Sequence, residues 1–173
     1  MLLAGCATAS RYGDFVASVN FTPYDTFAIR PALTTGFNWK SADELVIDRL
    51  SSQVLTEELE ARGFVPADDG AADFYVVAKW HKYSGYRTNF FDPVDPPQGR
   101  FEDDRPGNGF AVRHNLVVEI YDGPSDTLFW RAELPDVFEA IRFSESRVKL
   151  ALQRAIRDFP NRVEKDPNLP DIH

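Results

Sequence analysis

A single cysteine in 173 residues leaves no partner for an intramolecular disulfide. Basic residues are outnumbered, 19 against 27 acidic ones, for a formal net charge of −8. A chain of that balance, with no basic stripe along it, repels phosphate backbones, so no nucleic acid is expected as a partner. The same sign argues against direct electrostatic docking on anionic lipid headgroups. No stretch reaches the roughly 18 consecutive apolar residues that read as a membrane-spanning helix. Catalytic signatures are also missing. There is no Gly-x-Ser-x-Gly elbow, and the three histidines, His81, His114 and His173, stand far apart in sequence. No internal repeat and no linker divides the chain.

What is present is ordinary globular composition, 43% hydrophobic and 27% charged. A domain of this length buries roughly 70% of the surface its unfolded chain exposes, enough to fold without a metal or disulfide. The position of the one cysteine is the most informative feature. Leu3-Ala4-Gly5-Cys6 has the form of a bacterial lipobox, an apolar residue and two small ones before the cysteine that receives the lipid. The polar stretch Thr8 to Gly13 follows it. A cytoplasmic chain with a fortuitous match is the weaker reading. The charged region and longer apolar region of a full signal peptide do not precede the motif, which points to a shortened precursor or a start codon assigned too far along. The expectation is a mature chain beginning at Cys6 and carrying more than one acyl chain, as durable anchoring requires. With Ala7 rather than Asp after the cysteine, the expected address is the outer membrane, facing the periplasm.

Along the chain, Asp14 to Phe21 alternates, with Phe15, Ala17, Val19 and Phe21 on one side, and predicts a half-buried strand. Tyr24 to Ile29 predicts a second, and a Thr/Gly loop runs on to Lys40. Ser41-Ala42-Asp43-Glu44 has the spacing of a capping box. It opens a helix with Val46, Leu50, Val54 and Leu59 inward, closed by Arg62 and Gly63. Phe74 to Tyr83 alternates again, with Phe74, Val76, Ala78 and Trp80 on one face. A proline-rich acidic loop spans Thr88 to Gly109. Phe110 to Asp122 and Leu128 to Leu134 form a hairpin about Gly123-Pro124-Ser125-Asp126. Trp130 is expected beneath a helix and Arg131 on the other side, paired with Glu119. Ser144 caps a last helix with Val148, Leu152, Ala155, Ile156 and Phe159 on one face, stopped by Pro160.

The predicted fold is α+β in two layers. It has a mainly antiparallel five-stranded sheet with both helices on one face, in the order β-β-α-β-β-β-α. Residues 1–12 are read as lipobox and tether, 13–160 as one domain, and 161–173 as a polar tail.

Several pieces then fall into a familiar order. Tyr24-Asp25-Thr26-Phe27, Glu60-Ala61-Arg62-Gly63-Phe64 and Ala72-Asp73-Phe74 are followed by Val118-Glu119-Ile120-Tyr121-Asp122, Phe129-Trp130-Arg131-Ala132 and Asp158-Phe159-Pro160. In that order, after a lipobox, they resemble a family of bacterial envelope lipoproteins built around domain of unknown function 4136. The resemblance implies a lipoprotein facing the periplasm and supplies no catalytic residues. The acidic loop is longer than the resemblance leads one to expect.

Candidate chemistry is thin. His81 and His114, on neighbouring strands, could share a face and bind a metal, but no third ligand is indicated, and no metal or other cofactor is expected. The candidate binding loop comprises Phe90, Phe91, Asp92, Asp95, Glu102, Asp103 and Asp104. Its carboxylates could hold calcium, although their spacing does not follow the EF-hand order, so a solvated loop is the preferred reading. Tyr75, His81, Tyr83, Tyr86, Phe90 and Phe91 cluster in sequence, either to recognise a partner or to pin the loop to the sheet. The expected function is a non-enzymatic envelope protein, held to the membrane through Cys6, that binds a protein partner or envelope component. The alternative is a metal-dependent or hydrolytic enzyme at the outer membrane with a site near His81 and His114.

Overall fold

The first helix explains why the sheet is mixed. A parallel pair of strands needs a crossover connection, and a long amphipathic helix between two strands provides one. In the computed structural model, which describes residues 12–36, 39–68, 71–86, 110–139 and 144–163, that crossover is present. Strands β1 (Gly13–Phe15), β2 (Thr26–Ile29) and β3 (Leu33–Gly36) precede α1 (Ser41–Glu60). After it come β4 (Val65–Pro66), β5 (Phe74–Tyr86), β6 (Phe110–Asp122), β7 (Leu128–Glu139) and α2 (Glu145–Ile156). The strand order is β1-β7-β6-β5-β2-β4, with β3 also on β5. β2 and β3 lie one after the other along the same edge of the 13-residue β5, both parallel to it. β5, β6, β7 and β1 pair antiparallel in turn.

The α+β class and the two helices on one face match the expectation from sequence. The five-stranded, mainly antiparallel sheet does not: among the described residues seven strands form a mixed sheet. The two additional strands, β3 and β4, are four and two residues long, too short for alternation to declare them. The strand predicted from Asp14 to Phe21 shrinks to Gly13–Phe15. The amides of Val16 and Ala17 both turn to the Phe129 carbonyl, which ends the ladder, and Phe21 enters the aromatic core instead.

Alternation sorts the long strands cleanly. Trp80 opposes Leu116, Ala78 opposes Val118 and Val76 opposes Ile120 across β5 and β6. Leu134, Ala132 and Trp130 continue the same rows on β7, and every one of these side chains is buried. Ile47, Leu50, Val54, Leu55 and Leu59 of α1 and Val148, Ala151, Leu152, Ala155 and Ile156 of α2 close over that face. Trp80 Nε1 donates to Ser51 Oγ at 3.1 Å and fastens β5 to α1. Trp130 lies beneath this layer, its ring edge-on to Phe159. Gly13 leaves room for that indole, since a Cβ there would lie 2.2 Å from Trp130 Cζ2.

Helix ends are handled differently from the sequence reading. Ser41 is inside α1, the cap position is Lys40, and no side chain caps it. Glu44 accepts instead from Thr34 Oγ1 at 3.0 Å, so the capping box is replaced by a link to β3. At the other end, Gly63 adopts φ +91°. Its amide and that of Phe64 close onto the Glu60 and Leu59 carbonyls in the pattern of a Schellman stop. Arg62 extends this end, donating to the Ile156 and Phe159 carbonyls at 3.1 and 3.2 Å and so capping α2 as well.

Candidate functional site

With both helices on one side, the other side of β5, β6 and β7 is left uncovered by them. Tyr75, Val77, Lys79 and His81 point there from β5, and Asn115, Val117, Glu119 and Tyr121 from β6. Arg131 and Glu133 project from β7. Tyr75 opposes Tyr121 and Glu119 opposes Arg131, so aromatic and charged pairs stand side by side.

Glu119 is the centre of this face. Its side chain is only 9% exposed although neither α1 nor α2 covers it. Lys79 Nζ approaches Oε2 to 2.5 Å from the diagonal position, and the Tyr121 hydroxyl donates to the same oxygen. Arg131 Nε lies 3.8 Å from Oε1, the pairing expected from the hairpin, and its other nitrogen reaches Glu133 at 3.1 Å. Beside them, the Arg30 guanidinium stacks 4.5 Å above the Tyr75 ring and 5.4 Å from Tyr121, and it bonds Asp126 at 2.6 Å.

The electrostatics favour the ordinary charge states of Glu119, Lys79 and Tyr121. Burial pushes the Glu119 carboxyl upward, but hydrogen bonds from Lys79 and Tyr121 and the charges of Lys79 and Arg131 outweigh it and hold the value below 4.5. The hydrogen bond to Glu119 raises the Lys79 ammonium against the opposing effect of burial. Burial, then the bond to Glu119, raises the Tyr121 hydroxyl. General acid–base work needs groups tuned toward neutral pH, and these are moved away from it. The cluster is a locked set of charges and rings suited to contact. A depressed carboxylate stabilises the fold above its unfolded value, and that contribution is lost as pH falls through the folded one. Acid unfolding followed by circular dichroism from pH 7 downward is therefore expected to show loss of stability below about 4.5. In Glu119→Gln that loss should be shallower.

Sequence reasoning placed Glu119 and Arg131 together but missed Lys79 and Arg30. Alternation gives the face of Lys79; its diagonal reach to Glu119 depends on register. The histidine pair is corrected by register too. His81 opposes Asn115 and projects outward, where its Nδ1 meets Thr35 Oγ1 at 3.0 Å. His114 opposes Lys82 on the helix-covered face, 2% exposed, with its ring 4.9 Å from that of Trp39. The two rings are on opposite faces, so they cannot share a metal. Among the described residues no group of three or more His, Cys, Asp or Glu is placed to hold one. Cys6 and the loop residues Phe90, Phe91, Asp92, Asp95, Glu102, Asp103 and Asp104 lie outside the described residues, as do the side chains of Tyr83 and Tyr86.

Residues that carried the family resemblance meet at the start of β2. Asp73 Oδ2 accepts from the amides of Asp25 and Thr26 at 2.9 and 2.7 Å and from the Thr26 hydroxyl at 2.9 Å. The Tyr24 hydroxyl donates to Asp122, which also accepts from the Ser125 amide and hydroxyl. Burial and then that bond raise the Tyr24 hydroxyl. This knot joins β2, β5 and β6 and belongs to the framework of the fold.

Fold and surface together define a small α+β domain whose sheet is covered by two helices on one side and charged and aromatic on the other. The chain belongs to the family described as Domain of unknown function (DUF4136), whose model matches residues 11–161. No curated protein matches it significantly. Among solved structures, a PDZ domain protein from Parabacteroides distasonis is similar at TM-score 0.50 and 11% identity, covering 88% of this chain and 35% of that one. This chain thus spans about a third of that protein, and the likeness is one of fold. Two structures of the PelC dodecamer from Paraburkholderia phytofirmans, one of a point variant, give TM-scores of 0.48 and 0.45 at 12% and 10% identity. Each covers 83% of this chain, against 95% and 92% of PelC.

Proposed function

We propose that this protein is a lipoprotein of the bacterial envelope. Cys6 anchors it to the outer membrane, facing the periplasm, and it works by binding a protein partner or envelope component rather than by catalysis. The observation that carries the binding reading is the sheet face that neither α1 nor α2 covers. Arg30, Tyr75, Lys79, Glu119, Tyr121 and Arg131 are held there by one another before any partner arrives. Preordered aromatic and arginine side chains give up little entropy on contact and are the residue types that dominate binding energy at interfaces. The Leu3-Ala4-Gly5-Cys6 motif supports the address.

The test is crosslinking and affinity capture from cells producing the lipoprotein, with Cys6→Ser and Arg30→Ala/Tyr75→Ala as comparisons. The expected result is a partner retained at the membrane by the unaltered protein, no longer membrane-retained with Cys6→Ser, and captured at least about tenfold less with the double variant, as for a hot-spot pair. Capture indifferent to Arg30 and Tyr75 would remove this face as the site. Cys6 without incorporated lipid would remove the envelope address.

A further inference from the structure

The net charge of −8 hides a local reversal of sign. On α2, Arg147, Leu150 and Arg154 follow one another at i, i+3 and i+7 and so form one stripe. With Tyr12 and Val137 they border a shallow groove of about 240 Å³ between α2 and β7. Leu150 is 46% exposed. Both arginines are exposed, and among the described residues neither guanidinium makes an ion pair or hydrogen bond. A turn further along, the Arg157 guanidinium lies 5.4 Å from the centre of the Tyr12 ring. Two described acidic neighbours are already engaged. Asp158 is held by the Tyr12 amide and Arg157, and Glu145 by Arg49 at 3.6 Å.

We propose that this stripe is a membrane-docking surface that takes anionic phospholipid headgroups; the proposal rests on the anchoring of Cys6 put forward above. Tyr12 is six residues from Cys6, and six residues fully extended reach about 20 Å. A lipid on Cys6 therefore keeps the Tyr12 end of the groove within that distance of the bilayer. Salt confines the reach of each charge to roughly 8 Å, so the sign near the bilayer, not the sum over the chain, decides attraction. Guanidinium groups pair with phosphate in a bidentate fork, and their stems lie on apolar surface while the heads reach outward. An exposed leucine flanked by arginines, with a tyrosine beside them, is the pattern of a helix lying in the headgroup region. The tether alone would let the domain tumble. Docking on α2 fixes its orientation relative to the bilayer.

The sole thiol makes a direct test available. Coupling Cys6 to a maleimide lipid in vesicles installs the anchor chemically, whether or not cells lipidate that residue. Benzoylphenylalanine is placed at Leu150 or, for comparison, at Val65, which is 56% exposed on β4 at the opposite edge of the sheet. Vesicles are phosphatidylcholine alone, or about three parts to one of phosphatidylglycerol. Lipid adducts at position 150 are expected to rise at least roughly fivefold with the anionic lipid, the attraction of about one cation. They should fall back with R147E/R154E, whose circular dichroism and melting stay unchanged because both sites are exposed. If that variant fails to fold, R147Q/R154Q and a salt titration read the same dependence. Equal adducts at positions 150 and 65, or yields indifferent to lipid charge, would overturn the surface. Palmitate labelling in cells decides the status of Cys6 separately.

Discussion

Replacing Phe74 by alanine is expected to lower stability by about 4 kcal/mol, the typical cost of deleting a fully buried phenyl ring. Phe74 is wholly buried and packs against four other aromatic rings. Centroids lie 5.1 Å away at Phe64, 5.8 Å at Phe159, 5.9 Å at Tyr24 and 6.1 Å at Phe27. Those neighbours come from β2 and the residues just before it, from the stop of α1 and from the turn after α2, so one side chain joins segments distant in sequence. The lost area and the residual cavity both contribute. Rings held from several sides cannot collapse into the gap without losing their own contacts. Thermal melting should fall by about 8 to 16 °C, at roughly 2–4 °C per kcal/mol for a chain of this size. Phe74→Leu should cost about half as much. An alanine variant within 2 °C of the unaltered protein, by the same scaling, would mean the aromatic hub is not as packed as described.

Asp73→Ala comes next, at about 2 to 3 kcal/mol. One carboxylate oxygen accepts three hydrogen bonds, two from the adjacent amides of Asp25 and Thr26, and the Asp73 amide in turn donates to the Thr26 hydroxyl at 3.1 Å. Bonds to a charged acceptor are the stronger kind, and removing the acceptor leaves half-buried amides with nothing to replace it. Asp73→Asn keeps an acceptor and loses only the charge, so it should fall between the two, near 1 kcal/mol. Urea unfolding of the three proteins checks the order. If alanine and asparagine are equivalent, the carboxylate is not the organising group of β2.

Local sequence reaches as far as periodicity and chain-breaking residues carry it. The inward face of β5 was legible because Phe74, Val76, Ala78 and Trp80 fall on alternate positions, and alternation depends only on the pleat. The inward face of α2 was legible at Val148, Leu152, Ala155 and Ile156 for the corresponding helical reason. Gly63 announced the stop of α1 because a left-handed position favours glycine. At the site, the link of Glu119 to Arg131 followed from the short hairpin, whose register the turn sets.

Other features depended on neighbours distant in sequence. Leu33–Gly36 is a strand only because the long β5 has a free edge for it, and nothing in Leu-Thr-Thr-Gly declares that. The capping box at Ser41 had the right letters, but β3 offered Glu44 the Thr34 hydroxyl instead. His81 and His114 looked like partners on adjacent strands. An odd offset in register sends one ring outward and the other beneath Trp39. The stripe on α2 follows from helical spacing, but its place beside Tyr12 and β7 does not, since spacing along one helix says nothing about what packs next to it.

The sequence by itself determined the two helices and the long strands, which of their faces turn inward and where α1 stops, because those follow from spacing within a few residues. Tertiary structure alone decided the mixed pairing of the sheet, the separation of the histidines, the locked Lys79–Glu119–Tyr121 set and the place of the arginine stripe beside Tyr12. Each of these depends on register between strands or on contact between distant segments, which is set by the packing of the whole core and not by any local run of residues.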